Sequence, residues 1–303
     1  MAEALPVIVN AAAGLGHGAA DIDKLSAAFA SAGAQVRLLP ARNGAELRDI
    51  ARREARVAPP VIVAGGGDGT INAVASELVG SDTALGILPM GTLNHFARDA
   101  GIPADLGEAV QVILAGRVKS IDVGEVNGRV FLNNSSIGLY PSMVRHRVKQ
   151  QQQLGRGKWH AMFWAAMTVL RRSPFLSVRM QLDSKPLECR TPFIFIGNNE
   201  YLMEGLRIGQ RERLDAGLLS VYTSRAGGRW PLLRMALRAL VGSLHQDSDF
   251  EAWTAQSLHI ETRHKRLLVA TDGEVAPIEG ALHYRIRPGA LRVIVAAPAA
   301  GAE

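Results

Sequence analysis

The segment Val63-Ala64-Gly65-Gly66-Gly67-Asp68-Gly69-Thr70 sets four glycines around a single acid. It follows the apolar run Pro60-Val61-Ile62-Val63 and precedes Ile71-Asn72-Ala73-Val74-Ala75-Ser76-Glu77-Leu78-Val79, so it reads as a turn from a strand into a helix. Glycine has no Cβ, so backbone N–H groups in such a turn can come close to phosphate oxygens. The N-terminus of the following helix adds a favourable dipole. Asp68 on its own would repel phosphate. It makes chemical sense where a divalent cation or a basic group stands between them. The types and spacing point to a nucleotide site that uses metal.

Two further turns could join that chemistry. Leu85-Gly86-Ile87-Leu88-Pro89-Met90-Gly91-Thr92-Leu93-Asn94 also follows a strand, and Thr92 and Asn94 could donate to phosphate or ribose from the carboxyl edge of a sheet. Alone it reads as a turn with an Asn cap; two such turns on adjacent strand ends suggest a shared ligand. Thr271-Asp272-Gly273-Glu274 follows the apolar run Leu267-Leu268-Val269-Ala270. Its two carboxylates could act as a general base and a metal or hydroxyl orienter. An ordinary Glu, with a pKa of ~4.3, is ionised at neutral pH and can take a proton as phosphoryl transfer proceeds. Asp-Gly equally favours a plain hairpin turn. The loop Asn10-Ala11-Ala12-Ala13-Gly14-Leu15-Gly16-His17-Gly18 has glycines but lacks the lysine and Ser/Thr of a Walker A motif.

These turns need elements to hold them. Residues 7–9 read as a strand, 21–32 as a helix capped by Asp21, 35–39 as a strand and 45–56 as a helix. Strands at 61–64 and 85–88, a helix from Ile71 and another at 106–115 complete the alternation. That order predicts a parallel sheet covered on both faces. Then the pattern changes. Residues 120–126 and 129–133 flank Asn127-Gly128, a two-residue hairpin signal. Strands are expected at 176–182, 192–196, 218–223, 257–262, 266–271, 283–287 and 291–295, several joined by short polar turns, which predicts an antiparallel second domain. Helices are expected at 158–172, which carries Trp159 and Trp164, and at 231–244, with Pro231 at N1. The polar run 149–158 reads as a loop. The expected division is 1–125, completed by 290–303, and 126–289.

Composition limits the partners. The chain has 303 residues and a net charge of +6, from 34 basic and 28 acidic residues. That suits a nucleotide or an acidic membrane surface and is too mild and too spread for nucleic acid. Cys189 is the single cysteine, so no disulfide forms within the chain and no thiolate cluster holds metal. The eight histidines show no ligand spacing of the zinc type. The N-terminus has no signal-peptide pattern, and the longest apolar stretch, 161–170, is too short to span a bilayer. A cytoplasmic address with peripheral membrane contact is the expectation. A homodimer stays open.

Taken together, these pieces resemble the diacylglycerol kinase catalytic-domain family, particularly its bacterial soluble lipid kinases and the related sphingosine and ceramide kinases. Val9-Asn10 with Gly14 resembles the family's opening loop, with Ala11 where proline is usual. Gly65 to Asn72 closely matches the signature, and Gly91-Thr92-Leu93-Asn94-His95-Phe96-Ala97-Arg98 matches the next block. Phe131-Leu132-Asn133-Asn134 with Ile137-Gly138, then Ile196-Gly197-Asn198, Asp215-Ala216-Gly217-Leu218-Leu219 and Asp272-Gly273-Glu274 follow in the family's order. NAD kinases and phosphofructokinases carry similar glycine turns, so the ordered set is what is specific.

The resemblance implies a nucleotide-binding α/β domain followed by a β-sandwich domain, with a lipid acceptor in the cleft between them. It implies ATP held by Asn10, Gly65, Gly66, Gly67, Asp68, Gly69, Thr70, Ile71, Asn72, Thr92 and Asn94. Glu274 would accept the proton of the lipid hydroxyl, Asp272 would share the catalytic block, and Asp68 would belong to the network around ATP-bound Mg²⁺. Two departures stand out. His95 replaces the family's acid after Asn94. Ala216 replaces the second acid of Asp-Asp-Gly-Leu, the ligand of a structural Mg²⁺; Asp215 and the Leu218 carbonyl remain, with Asp215 one residue off. The expectation is an ATP-dependent lipid kinase acting on diacylglycerol or a related lipid. Two alternatives stay open: a kinase of a soluble acceptor, and a nucleotide- or lipid-binding regulator without turnover.

Overall fold

The computed structural model describes residues 4–11, 18–138, 175–201, 211, 213–225, 228 and 250–297. The expected helices at 158–172 and 231–244, the run 149–158 and Gly14 lie outside the described residues. The chain divides into two compact units, Met1–Val123 with Arg287–Glu303, and Gly124–Ile286.

In the first unit, apolar runs form β1 (Leu5–Asn10), β2 (Val36–Ala41), β3 (Val61–Gly66) and β4 (Ala84–Pro89). All pair in parallel, in the order β2-β1-β3-β4, and the end of the last strand, β16 (Leu282–Ile294), joins β4 through Val293↔Leu85. A parallel strand is buried on both faces, which is why these strands are apolar without alternation. Ile8, Ile62, Leu85 and Ile87 have no exposed surface. Burying such a side chain contributes roughly 1.5–3 kcal/mol.

The helices are α1 (Gly18–Ser31), α2 (Gly44–Val57), α3 (Asp68–Leu78), α4 (His95–Asp99) and α5 (Leu106–Ala115). Their caps are local sequence decisions. Asn43 accepts from the amides of Ala45 and Glu46 at the start of α2, and Asp105 accepts from that of Glu108 at the start of α5. Gly116, left-handed at φ 67, ends α5. Three expectations are corrected. Asp21 lies inside α1, because Ala19-Ala20, strong helix formers, extend the helix back to Gly18. α3 starts at Asp68 rather than Ile71, because extended Gly67 is its N-cap. The short α4 follows Asn94, where no helix was expected.

The second unit is a β-sandwich. One sheet joins the first part of β16 to β13 (Ser257–Thr262), β8 (Leu176–Leu182) and β9 (Lys185–Thr191), with β5 (Val118–Val126) beside β16 and β6 (Arg129–Phe131) beside β5. The other runs β12 (Phe250–Ala255), β11 (Leu219–Ser224), β10 (Phe193–Asn198), β7 (Asn134–Gly138), β14 (Arg266–Thr271) and β15 (Glu274–Glu279). Alternate residues of both sheets, among them Val178, Met180, Leu258, Ile260, Ile194, Ile196, Val221 and Val269, form one core. Asn127-Gly128 makes the expected hairpin, both residues at positive φ (46 and 81). β7, β9, β12 and β15 were not expected. β16 is one continuous strand where two were expected: it runs through Pro288, and Gly289 N–H finds an acceptor in Asp122 Oδ1 at 2.9 Å.

Candidate active site

The two glycine turns of the first unit are built as one object. Gly65 and Gly66 end β3, and Met90 N–H, just past β4, donates to Gly66 O at 3.1 Å. A Cβ on Gly66 would lie 2.5 Å from Thr70 Oγ1, and one on Gly91 would lie 2.4 Å from Gly67 Cα. These glycines are therefore required by close approach of chain to chain. Gly67, as N-cap of α3, offers no side-chain acceptor; Thr70 N–H (2.9 Å) and Ile71 N–H (3.1 Å) donate to Gly67 O, which leaves the Asp68 and Gly69 amides to an outside acceptor such as phosphate. Asn10, at the end of β1, donates from Nδ2 to Thr70 Oγ1 at 3.3 Å, so a third strand end joins the cluster. Gly69 and Thr92 are exposed, and Ile71 is buried under the turn. Asn72 Oδ1 accepts from Ser76 Oγ at 3.2 Å.

Asp68 has a partner that its sequence neighbours do not reveal. Its carboxylate accepts from His95 N–H at 3.2 Å and Phe96 N–H at 3.0 Å, and so anchors the start of α4. The acid inside the glycine turn is explained first by these amides. Asn94, at φ 47, accepts from Gly91 N–H at 2.9 Å and donates from Nδ2 to Gly91 O (2.9 Å) and Pro89 O (3.3 Å). Both Nδ2 hydrogens have acceptors within the turn, so Asn94 shapes it rather than offering a donor to phosphate or ribose. His95 Nδ1 lies 3.1 Å from Arg98 Nη2. A guanidinium can only donate, so Nδ1 is the acceptor and a neutral His95 carries its proton on Nε2.

In the second unit, Asp272-Gly273 is the two-residue turn between β14 and β15, at φ 46 and 84, with Thr271 paired to Glu274. Asp272 Oδ2 accepts from Leu132 N–H at 2.7 Å, and its Oδ1 accepts from Asn133 N–H at 2.8 Å and Asn134 N–H at 3.0 Å. Asp272 N–H in turn donates to Asn134 O at 2.9 Å. The aspartate thus fastens its turn to the segment before β7. Glu274, the next residue but one, is exposed, and its side chain makes no hydrogen bond or ion pair among the described residues. Asp272 is held by amides while the Glu274 carboxylate is exposed.

Comparison with known proteins bears on this arrangement. The model of the diacylglycerol kinase catalytic domain matches residues 4–126, and that of the YegS C-terminal NAD kinase beta sandwich-like domain matches residues 137–295. A Pseudomonas aeruginosa protein named "Probable lipid kinase YegS-like" is 32% identical over 237 residues, which cover 77% of this chain and 75% of that one. The chain belongs to the YegS-like lipid kinase family. A Salmonella gallinarum member, "Probable lipid kinase YegS", is 28% identical over 244 residues, 78% of each chain. The fold is also that of a crystal structure of a diacylglycerol kinase from Bacillus anthracis, with a TM-score of 0.71 at 24% identity over 97% of both chains.

Within this lipid kinase family, the metal donors can be tested against the residues present. The segment in which Ala216 replaces the family's structural Mg²⁺ ligand does not fit that ion. Asp215 Oδ1 pairs with Arg213 Nε at 3.2 Å, the Leu218 carbonyl accepts from Asn199 N–H at 3.0 Å, and Ala216 brings only its amide, donated to Asn199 Oδ1 at 3.0 Å. No group of three His, Cys, Asp or Glu side chains among the described residues could hold an ion. Asp68 does fit a Mg²⁺ that arrives on a nucleotide. A carboxylate has about four lone-pair sites, and Mg²⁺ at phosphate sites takes one or two carboxylates with the rest water and phosphate. One polar cluster was missed from sequence. Arg211, buried, donates from Nη1 to Leu132 O (2.6 Å) and Asn198 O (3.1 Å), and from Nη2 to Asn133 Oδ1 (2.9 Å). Arg211 stands between Gln210 and Glu212 in a charged run, so nothing in its setting marks it as interior.

Proposed function

We propose that this lipid kinase family member is an ATP-dependent kinase that transfers the γ-phosphoryl group to a hydroxyl of diacylglycerol or a related lipid. The observation that carries the reading is the pair of glycine turns locked together at Gly67 and Gly91, with the uncapped Asp68 and Gly69 amides of α3 beside them. Phosphates bind those amides, and Thr70, Thr92 and Asn10 line the same strand ends. Mg²⁺ brought in with ATP, held through Asp68, supplies charge neutralisation on the phosphates. Glu274 takes the hydroxyl proton as the lipid oxygen bonds to phosphorus and the bond to the β,γ-bridging oxygen breaks, releasing ADP. Asp272 holds the turn that presents Glu274. Positioning and charge neutralisation provide most of the catalysis.

The acceptor resides in a membrane, so turnover takes place at a lipid surface. The +6 net charge favours an anionic one. No helix among the described residues is long and apolar enough to cross a membrane. One observation favours the reading of a regulator without turnover: an imidazole, His95, stands where the resembled family has a carboxylate. The test is transfer of radiolabelled γ-phosphate to a panel of lipids in vesicles, with soluble acceptors in parallel, by wild type and Glu274→Gln. Loss of a catalytic base typically lowers kcat by about 10²–10⁴-fold. A lipid labelled by wild type and not by the variant is the expected result. No lipid labelled above the variant's background overturns the proposal, and a labelled soluble acceptor replaces it.

A further inference from the structure

The Arg211 cluster and the Asp272 turn meet at one peptide group. The amide between Leu132 and Asn133 gives its N–H to Asp272 Oδ1 at 2.8 Å, while its C=O accepts from Arg211 Nη1 at 2.6 Å. A carboxylate therefore polarises one end of this peptide and a guanidinium the other. Hydrogen bonds in such a chain strengthen one another, and those to charged groups are the strong ones. Neighbouring contacts brace the same spot. Asn198 Nδ2 also donates to Leu132 O at 2.8 Å, and Asn198 N–H donates to Asn133 O at 2.9 Å. Arg211 is 7% exposed, and its guanidinium carbon sits 5.4 Å from the centre of the Tyr201 ring.

We propose that Arg211 is a positioning residue for Glu274. It grips the carbonyl side of residues 132–133, Asp272 grips the amide side of residues 132–134, and the Asp272-Gly273 turn fixes where β15 begins, which is where Glu274 stands. The guanidinium suits this task because its planar fork serves three acceptors at once, which a lysine ammonium cannot do in one plane.

The role assigned to Glu274 rests on the proposed kinase reading, so the experiment has one arm that needs no activity. In Arg211→Lys, hydrogen exchange at the amides of Leu132, Asn133 and Asn134 is expected to quicken at least tenfold, with β8 and β13 exchanging as in wild type. Unchanged exchange at those three amides overturns the proposal, and so does equal quickening throughout the unit, which would make Arg211 a general packing residue. In the activity arm, kcat is expected to fall at least tenfold with KM for ATP within twofold. Added guanidinium ion is expected to raise kcat of Arg211→Ala at least fivefold while leaving wild type unaltered. Unchanged kcat in Arg211→Lys also overturns the proposal. If wild type labels no lipid, the kinase reading fails, and the exchange arm alone decides whether Arg211 holds the turn.

Discussion

At Gly67 and Gly91 two backbones pass so closely that no side chain can stand between them. A Cβ on Gly91 would meet Gly67 Cα at 2.4 Å and Asn94 Oδ1 at 2.7 Å. Backbone cannot rotate away as a side-chain tip can, so the turns must part. Gly91→Ala is therefore expected to weaken ATP binding at least tenfold by calorimetry. Gly44→Ala, where the nearest atom to a new Cβ is Arg48 Nη1 at 3.9 Å, should leave it unchanged. At this scale the sequence was informative about residue type and silent about partners. The glycines and Asp68 marked a turn from strand into helix, and β3 runs through it into α3. The amides that Asp68 holds belong to His95 and Phe96, more than a full strand and turn away, and no local pattern links them. The same holds for His259 and His283, which sequence spacing keeps apart and which strand register brings to 2.9 Å between their Nδ1 atoms.

Elements were legible where one signal dominated. The parallel strands of the first unit are apolar throughout, and α2 and α5 carry caps at both ends. The missed strands have identifiable reasons. β7 reads Asn-Ser-Ser-Ile-Gly, poor in strand formers, and is held by pairing to β10 and β14 on its two sides. β9 and β15 contain Pro186 and Pro277, which demote a run as a central strand; both lie at sheet edges, where proline is tolerated. β9 also carries the one cysteine. Burial, with a smaller contribution from the negative charge of Glu251, pushes the Cys189 thiol up from 9.0 to about 11. Its folded-state pKa lies above the unfolded one, so below pH 9 both states hold the proton and the stabilisation is complete. Between about 9 and 11 the unfolded chain gives up its proton first, and stability falls as pH rises. Cys189→Ala should lose that part of the alkaline slope in urea denaturation curves. Iodoacetamide should label native wild type slowly at pH 8 and faster as pH approaches 11.

Over the whole molecule, the first unit is discontinuous in sequence. Its sheet is completed by the end of β16, where Leu291, Val293 and Ile294 are buried, Gly80 N–H donates to Ala290 O at 2.7 Å and Val295 N–H to Arg117 O at 2.9 Å. Sequence reading placed an apolar strand at 291–295, yet its parallel partner could be learned only from the pairing of Val293 with Leu85. Removing residues 289–303 should uncover β4 along one side. Such a truncated chain is expected to lose ATP binding and to show a lowered, broadened thermal transition by circular dichroism. An unchanged transition with intact binding would refute the structural importance of the returning strand. The order of synthesis gives this feature its meaning in a cell. Both glycine turns are synthesised well ahead of the returning strand, and the sheet beneath them is complete only once β16 has followed. Until β16 arrives, β4 offers the growing chain an unpartnered edge of backbone donors and acceptors.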